Sequence, residues 1–234
     1  MEKVIIELDR RWELQDFAIL TKEYLQLYGI LYAVSNRAEQ VARSRERGID
    51  NPQGYATMPW EGGHSVVNFI RSVSSFIPEE QAPLVKKIQY ASPGFIELSC
   101  VIEVAWQIAG LVSAVAASVL TANKVYDKIM KDYRKREWSK LKAEHLRLQN
   151  KQKEIELVSS HAKLLKQTMN MNDWQYENLL SMAGGDELVQ LKMLLAMYRR
   201  VVPLAELQEQ GKANFDTEDK PSAPKNKQAR RPRM

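Results

Sequence analysis

The sequence predicts an α+β fold: a small amino-terminal strand–helix–strand–strand domain, followed by a predominantly helical region with a long central helix. Three observations predict it. β-Rich segments with alternating apolar residues are confined to the first ~95 residues, a size usual for a small domain. Apolar residues at three- and four-residue steps recur through most of the remainder. Between the two lies Val104 to Ala122, VAWQIAGLVSAVAASVLTA, a run without a formal charge of about 19 residues, close to the ~20 that cross a bilayer as helix.

Val4 to Leu8 alternates, with Val4, Ile6 and Leu8 on one face, and reads as a strand. Asp16 is placed to cap a following helix, whose stripe is Phe17, Leu20, Tyr24, Leu27, Leu31 and Val34. That helix is expected to run on through RAEQVARSRERG and to stop near Gly48. Residues 49–64 are rich in Pro and Gly and read as loop, followed by strands at Val66 to Ile70 and Leu84 to Tyr90. Phe95 to Leu98 fits either a strand or a first turn of helix, so the domain is drawn as residues 1–95.

Residues 96–123 form an apolar helix rich in small residues. Ala109 and Ser113 lie on one row, and Gly110, Ala114 and Ser118 on the next, each four apart, which suits close helix packing and assembly. A buried core helix and a membrane-associated helix fit this run equally well. Lys124, Lys128, Lys131, Arg134, Lys135 and Arg136 follow it, positioned for anionic lipid or phosphate. By the positive-inside tendency these cations would stay cytoplasmic. A constitutive span would then have to carry the folded amino-terminal domain across the bilayer.

Residues 124–171 hold almost no helix breaker and read as one long charged helix. Leu141, Leu148, Ile155, Ala162 and Met169 recur every seven residues, with Val158 and Leu165 as a second, partial seam, hence a partial coiled coil. Residues 172–210 form short amphipathic helices, capped by Asn172 or Asp173 and by Asp186, the last ended by Pro203. Their face at Leu188, Leu191, Leu195 and Tyr198 is a partner-docking candidate. Residues 211–234 read as a disordered basic tail.

Catalytic sets are not recognisable. The histidines are His64, His145 and His161, without acidic or cysteine partners at ligand spacing. Gly62-Gly63-His64 lacks the lysine and hydroxyl of a phosphate loop. Glu97 and Glu103, six residues apart, do not share a helical face well. Cys100 is the single cysteine, so no internal disulfide forms and a reducing compartment fits. The first residues carry acids and no long apolar core, unlike a secretory signal.

The expectation is therefore a non-enzymatic, self-associating protein, cytoplasmic or membrane-associated, with no catalytic, cofactor-binding or metal-binding residue. Its partners would be further copies of itself, another protein or a membrane. A membrane-perturbing effector of a cell-defence module is one form of this. The alternative is a soluble helical scaffold or adaptor that binds a protein partner or the nucleic-acid backbone, nucleic acid being the weaker of the two. No small-molecule substrate is evident.

Overall fold

Alternation in the first strand fixes how the sheet lies. A computed structural model describes residues 2–36, 77–90, 94–136, 138 and 152–216. Strand β1 (Glu2–Leu8) buries Val4, Ile6 and Leu8 and leaves Lys3, Ile5 and Glu7 outside, as a period of two requires. It pairs antiparallel with β3 (Gly94–Cys100), Val4 opposite Leu98 and Ile6 opposite Ile96. β2 (Leu84–Gln89) lies on the other side of β3, and the short β4 (Ala213–Asn214) on the other side of β1, giving the order β2-β3-β1-β4. Phe95 to Leu98 is thus strand. The expected strand at 66–70, loop at 49–64 and helix stretch at 37–48 lie outside the described residues.

Helix α1 (Leu14–Ser35) begins one turn earlier than Asp16 would place it. Glu13 occupies the cap, and Asp16, three residues on, accepts the Glu13 N–H at 2.9 Å. The first part of its stripe faces the sheet, and from Leu27 to Val34, where it packs among the later helices, every residue is buried.

The uninterrupted helix expected across 104–122 is divided. α2 (Ile102–Ala116) and α3 (Val119–Lys135) meet at a 92° bend over Ala117 and Ser118. No single helix among the described residues is long and apolar enough to cross a membrane. The bend lets Val115 and Val119, on either side of it, both reach the core.

The single helix expected over 124–171 is corrected as well. His161 Nε2 stands 3.1 Å from Asp132 Oδ2. Twenty-nine residues of continuous helix would separate them by about 43 Å. Instead α3 and α4 (Gln152–Thr168) fold back on one another, with Trp138 donating to Glu154 at 3.2 Å. Val158, Ala162, Leu165 and Met169 are buried inside the chain, so the later part of the heptad seam serves an internal helix contact. Leu141 and Leu148 lie outside the described residues.

α5 (Asp173–Met182) is capped by Asn172, which accepts the Gln175 N–H at 2.8 Å while the Gln175 side chain accepts the Asn172 N–H at 3.1 Å. α6 (Glu187–Glu209) is capped by Asp186, which accepts the Val189 N–H at 2.9 Å. Pro203 does not end α6. Its missing N–H leaves the Arg199 carbonyl without an intrahelical donor, but Leu204, Ala205 and Leu207 beyond it are buried and hold the last turns in place. Residues 211–216, expected as the start of a disordered tail, are structured. β4 closes the sheet, and Phe215 is buried against the Tyr24 ring at 6.5 Å between centroids. Residues 217–234 lie outside the described residues.

α6 packs on α1, α2, α3, α4, α5 and β4, and the sheet and helices share one apolar core. The sheet is tied to that core through tyrosines on α1. Tyr24, Tyr28 and Tyr32 stack at 6.5 and 6.3 Å, the four-residue spacing placing them on one face. Tyr28 donates to the Gln81 carbonyl at 2.8 Å and accepts the Val101 N–H at 3.0 Å, and Tyr32 donates to the Gln81 side chain. Tyr28→Phe removes both Tyr28 bonds and orphans the Val101 N–H, so it should cost about 2 kcal/mol in urea unfolding. A change under ~0.5 kcal/mol would mean that water replaces the hydroxyl.

Candidate functional site

The small-residue rows of α2 part company. Ala109 faces the core, while Gly110 and Ser118 are exposed and Ser113 and Ala114 half-buried. Ser113 accepts a hydrogen bond from Gln208 at 3.1 Å, so its row holds α6 within the same chain. A Cβ built on Gly110 would meet nothing within 4 Å. Gly110→Leu should therefore raise stability by about 0.5–1 kcal/mol through helix propensity. A loss of stability in denaturant titration would mean that this face is covered in solution.

The docking face expected on α6 is not a surface. Leu188, Leu191, Leu195 and Tyr198 are all buried, and Tyr198 donates to Asn123 at 3.0 Å and stacks on Tyr126 at 4.9 Å. A helix with apolar residues on every side is covered by its own neighbours. By contrast, Lys124, Lys128, Lys131, Arg134, Lys135 and Arg136 are all exposed on or just past α3, with Arg136 paired to Glu154.

Among the described residues, the cysteine, His161 and several tyrosines are packed away. Cys100 is fully buried, and burial pushes its thiol up to about 11. The Tyr24 hydroxyl lies against that thiol without good hydrogen-bond geometry, and burial drives it well above the ordinary value of 10.0. Tyr28 and Tyr133 are pushed up to about 12, again chiefly by burial. His161 is buried between Asp132 and the edge of Trp138. His64 and His145 lie outside the described residues. No group of three or more His, Cys, Asp or Glu able to hold a metal occurs among the described residues. Glu97 pairs with Lys3 at 2.8 Å on the outer face of the sheet.

What the sequence did not indicate is an apolar groove of ≈ 230 Å³ between α1 and the β2 end of the sheet. α1 supplies Phe17, Leu20, Thr21, Tyr24 and Leu25, spaced to line one side; Ile6, Ile96 and Leu98 form the sheet wall, with Pro83, Val85 and Ile88 at the rim. The Thr21 hydroxyl donates back to the Phe17 carbonyl at 2.7 Å, so it offers the groove little polarity. The rim is open: Leu25 is 48 % exposed, Val85 53 % and Ile88 54 %. A signal was present in LVKKIQ, where Val85 and Ile88 are three apart instead of two. A bulge between Val85 and Lys87 absorbs the extra residue. Val85 then lies opposite Leu98 and Ile88 opposite Ile96, both on the α1 side.

The raised thiol and phenols make the fold alkali-sensitive. The folded chain keeps protons that the unfolded chain releases. The Cys100 contribution is complete below pH 9.0 and is lost as pH rises through about 11. Melting temperature should fall over that window, and Cys100→Ala should flatten it. Iodoacetamide should label Cys100 only after unfolding, and rapid native labelling would contradict its burial. Comparison with known protein families, characterised proteins and solved structures finds no match to this chain.

Proposed function

We propose that this chain is a non-enzymatic adaptor that takes an apolar segment of a protein partner into the groove between α1 and β2. The observation that carries the reading is the open aliphatic rim of Leu25, Val85 and Ile88 around a groove already lined with apolar side chains. Half-exposed aliphatic residues gathered around one concavity are a feature of interaction sites, whereas scattered ones are ordinary. At ≈ 230 Å³ the groove is smaller than the ~300–1,000 Å³ usual for small-molecule sites and suits a few partner side chains better.

Charge narrows the partner. Lys86 and Lys87 are exposed on the same strand, so acidic residues beside the apolar anchors are favoured. A second copy fits poorly. Antiparallel pairing of β2 with itself, centred on these residues, would set lysine against lysine. Val104, Ile108, Leu111, Val112 and Val115 of the apolar run are buried within the chain, which supports an internal packing role for it.

A peptide-display selection on the full chain tests this, with Leu25→Glu/Ile88→Glu as the counter-selecting bait. Both sites are half exposed, so the double variant should lose no more than ~1 kcal/mol of stability. Enriched peptides should carry apolar residues at alternate positions with flanking acids, and bind the variant at least ~10-fold more weakly. If nothing is enriched, or if the selected peptides bind both baits alike, the groove is not the docking site.

A further inference from the structure

We propose that the outward face of α3 docks on an anionic lipid bilayer. The reading is independent of the groove and rests on how the cations are arranged. At ~100° per residue, Arg134, Leu120, Lys131, Lys124, Lys135 and Lys128 fall within an arc of about 120°. All six are exposed. Asp127 is the one acid in that arc, and none of the five cations has an ion-pair partner among the described residues. Lys124 to Lys135 spans about 16 Å along the axis, a straight row of point charges on one side of a rigid helix.

The remaining faces of α3 are occupied by the fold. Val119, Ala122, Ile129 and Met130 are buried, so the helix cannot roll to present another side. At the start of the row, directly after the 92° bend, Leu120 is 75 % exposed. The attraction is that of a basic surface for acidic headgroups, and the exposed Leu120 at the leading end of the row adds one shallow apolar contact.

Nucleic acid fits the same face less well. Stacking on single strands needs outward aromatic rings, and the two tyrosines of α3 turn inward. Tyr126 stacks on Tyr198 at 4.9 Å, and Tyr133 meets Trp138 edge-on at 6.3 Å. Of the side chains that read bases in a duplex groove, the arc holds only its cations and no Asn or Gln for adenine. A straight lysine row also follows a flat surface more readily than a curved phosphate backbone.

Flotation of the full chain with phosphatidylcholine vesicles, with and without phosphatidylserine, tests the proposal. Binding should be at least ~10-fold stronger to the anionic vesicles, and should fall sharply near 1 M salt, where screening shortens to about 3 Å. Lys124→Gln/Lys128→Gln/Lys131→Gln should lower binding at least ~10-fold with helical circular dichroism unchanged, and Leu120→Ser should lower it on its own. Cations outside the face, including those of the carboxyl-terminal segment, are present in every variant, so the difference reports α3. Leu25→Glu/Ile88→Glu should leave vesicle binding intact, which separates this face from the groove. Three results would overturn the proposal: no anionic preference at low salt, a folded lysine variant that floats like the wild type, or duplex DNA stripping the chain from vesicles at equal phosphate.

Discussion

A helix that is apolar on every side has to be surrounded, and most of this architecture answers that requirement. Every residue from Leu188 to Tyr198 in α6 is buried, including Gln190, whose side chain donates to the Tyr176 carbonyl at 2.8 Å. Fully burying one leucine is worth roughly 1.5–3 kcal/mol, so exposing this segment would cost more than a typical domain's net stability. The bend between α2 and α3, and the return of α4 beside α3, both bring apolar faces to the same centre. β4 follows directly from the end of α6, which brings the carboxyl-terminal segment to β1.

The tyrosine ladder solves a different problem. Sheet and helix bundle meet where β3 turns into α2, and the backbone leaving a strand carries an N–H with no ladder partner. Tyr28 accepts that N–H from Val101 and donates its own hydroxyl to the Gln81 carbonyl. One phenol thus satisfies the start of α2 and anchors the turn before β2. This fixes the strand that forms the groove rim. The groove stays open because α1 covers the sheet above β1 and β3 more fully than above β2, where Val85 and Ile88 keep half their surface.

Local pattern made several elements legible. The alternation of Val4, Ile6 and Leu8, the stripe on α1, and the caps at Asn172 and Asp186 each follow from contacts within a few residues. Pattern failed where the deciding contact was distant. Nothing local separates a 19-residue apolar helix from two helices joined at Ala117 and Ser118, because neither Gly nor Pro marks the break. Pro203 is the converse, a local stop signal overridden by burial of Leu204 and Leu207 on the far side. The cation row could be placed in sequence, but its exposure depended on which face of α3 the core would take.

The sequence alone determined the fold class, the inward face of β1 and the stripe on α1, since each depends on spacing and composition. Tertiary structure decided what those faces meet. The Leu188 to Tyr198 face became core and not a docking surface, and the apolar run became a bent element packed within the chain. Val85 and Ile88 became a groove rim through a one-residue bulge. The physical reason is that burial is a property of the assembled chain: an apolar face specifies that it must be covered, and only the packing of distant segments specifies by what.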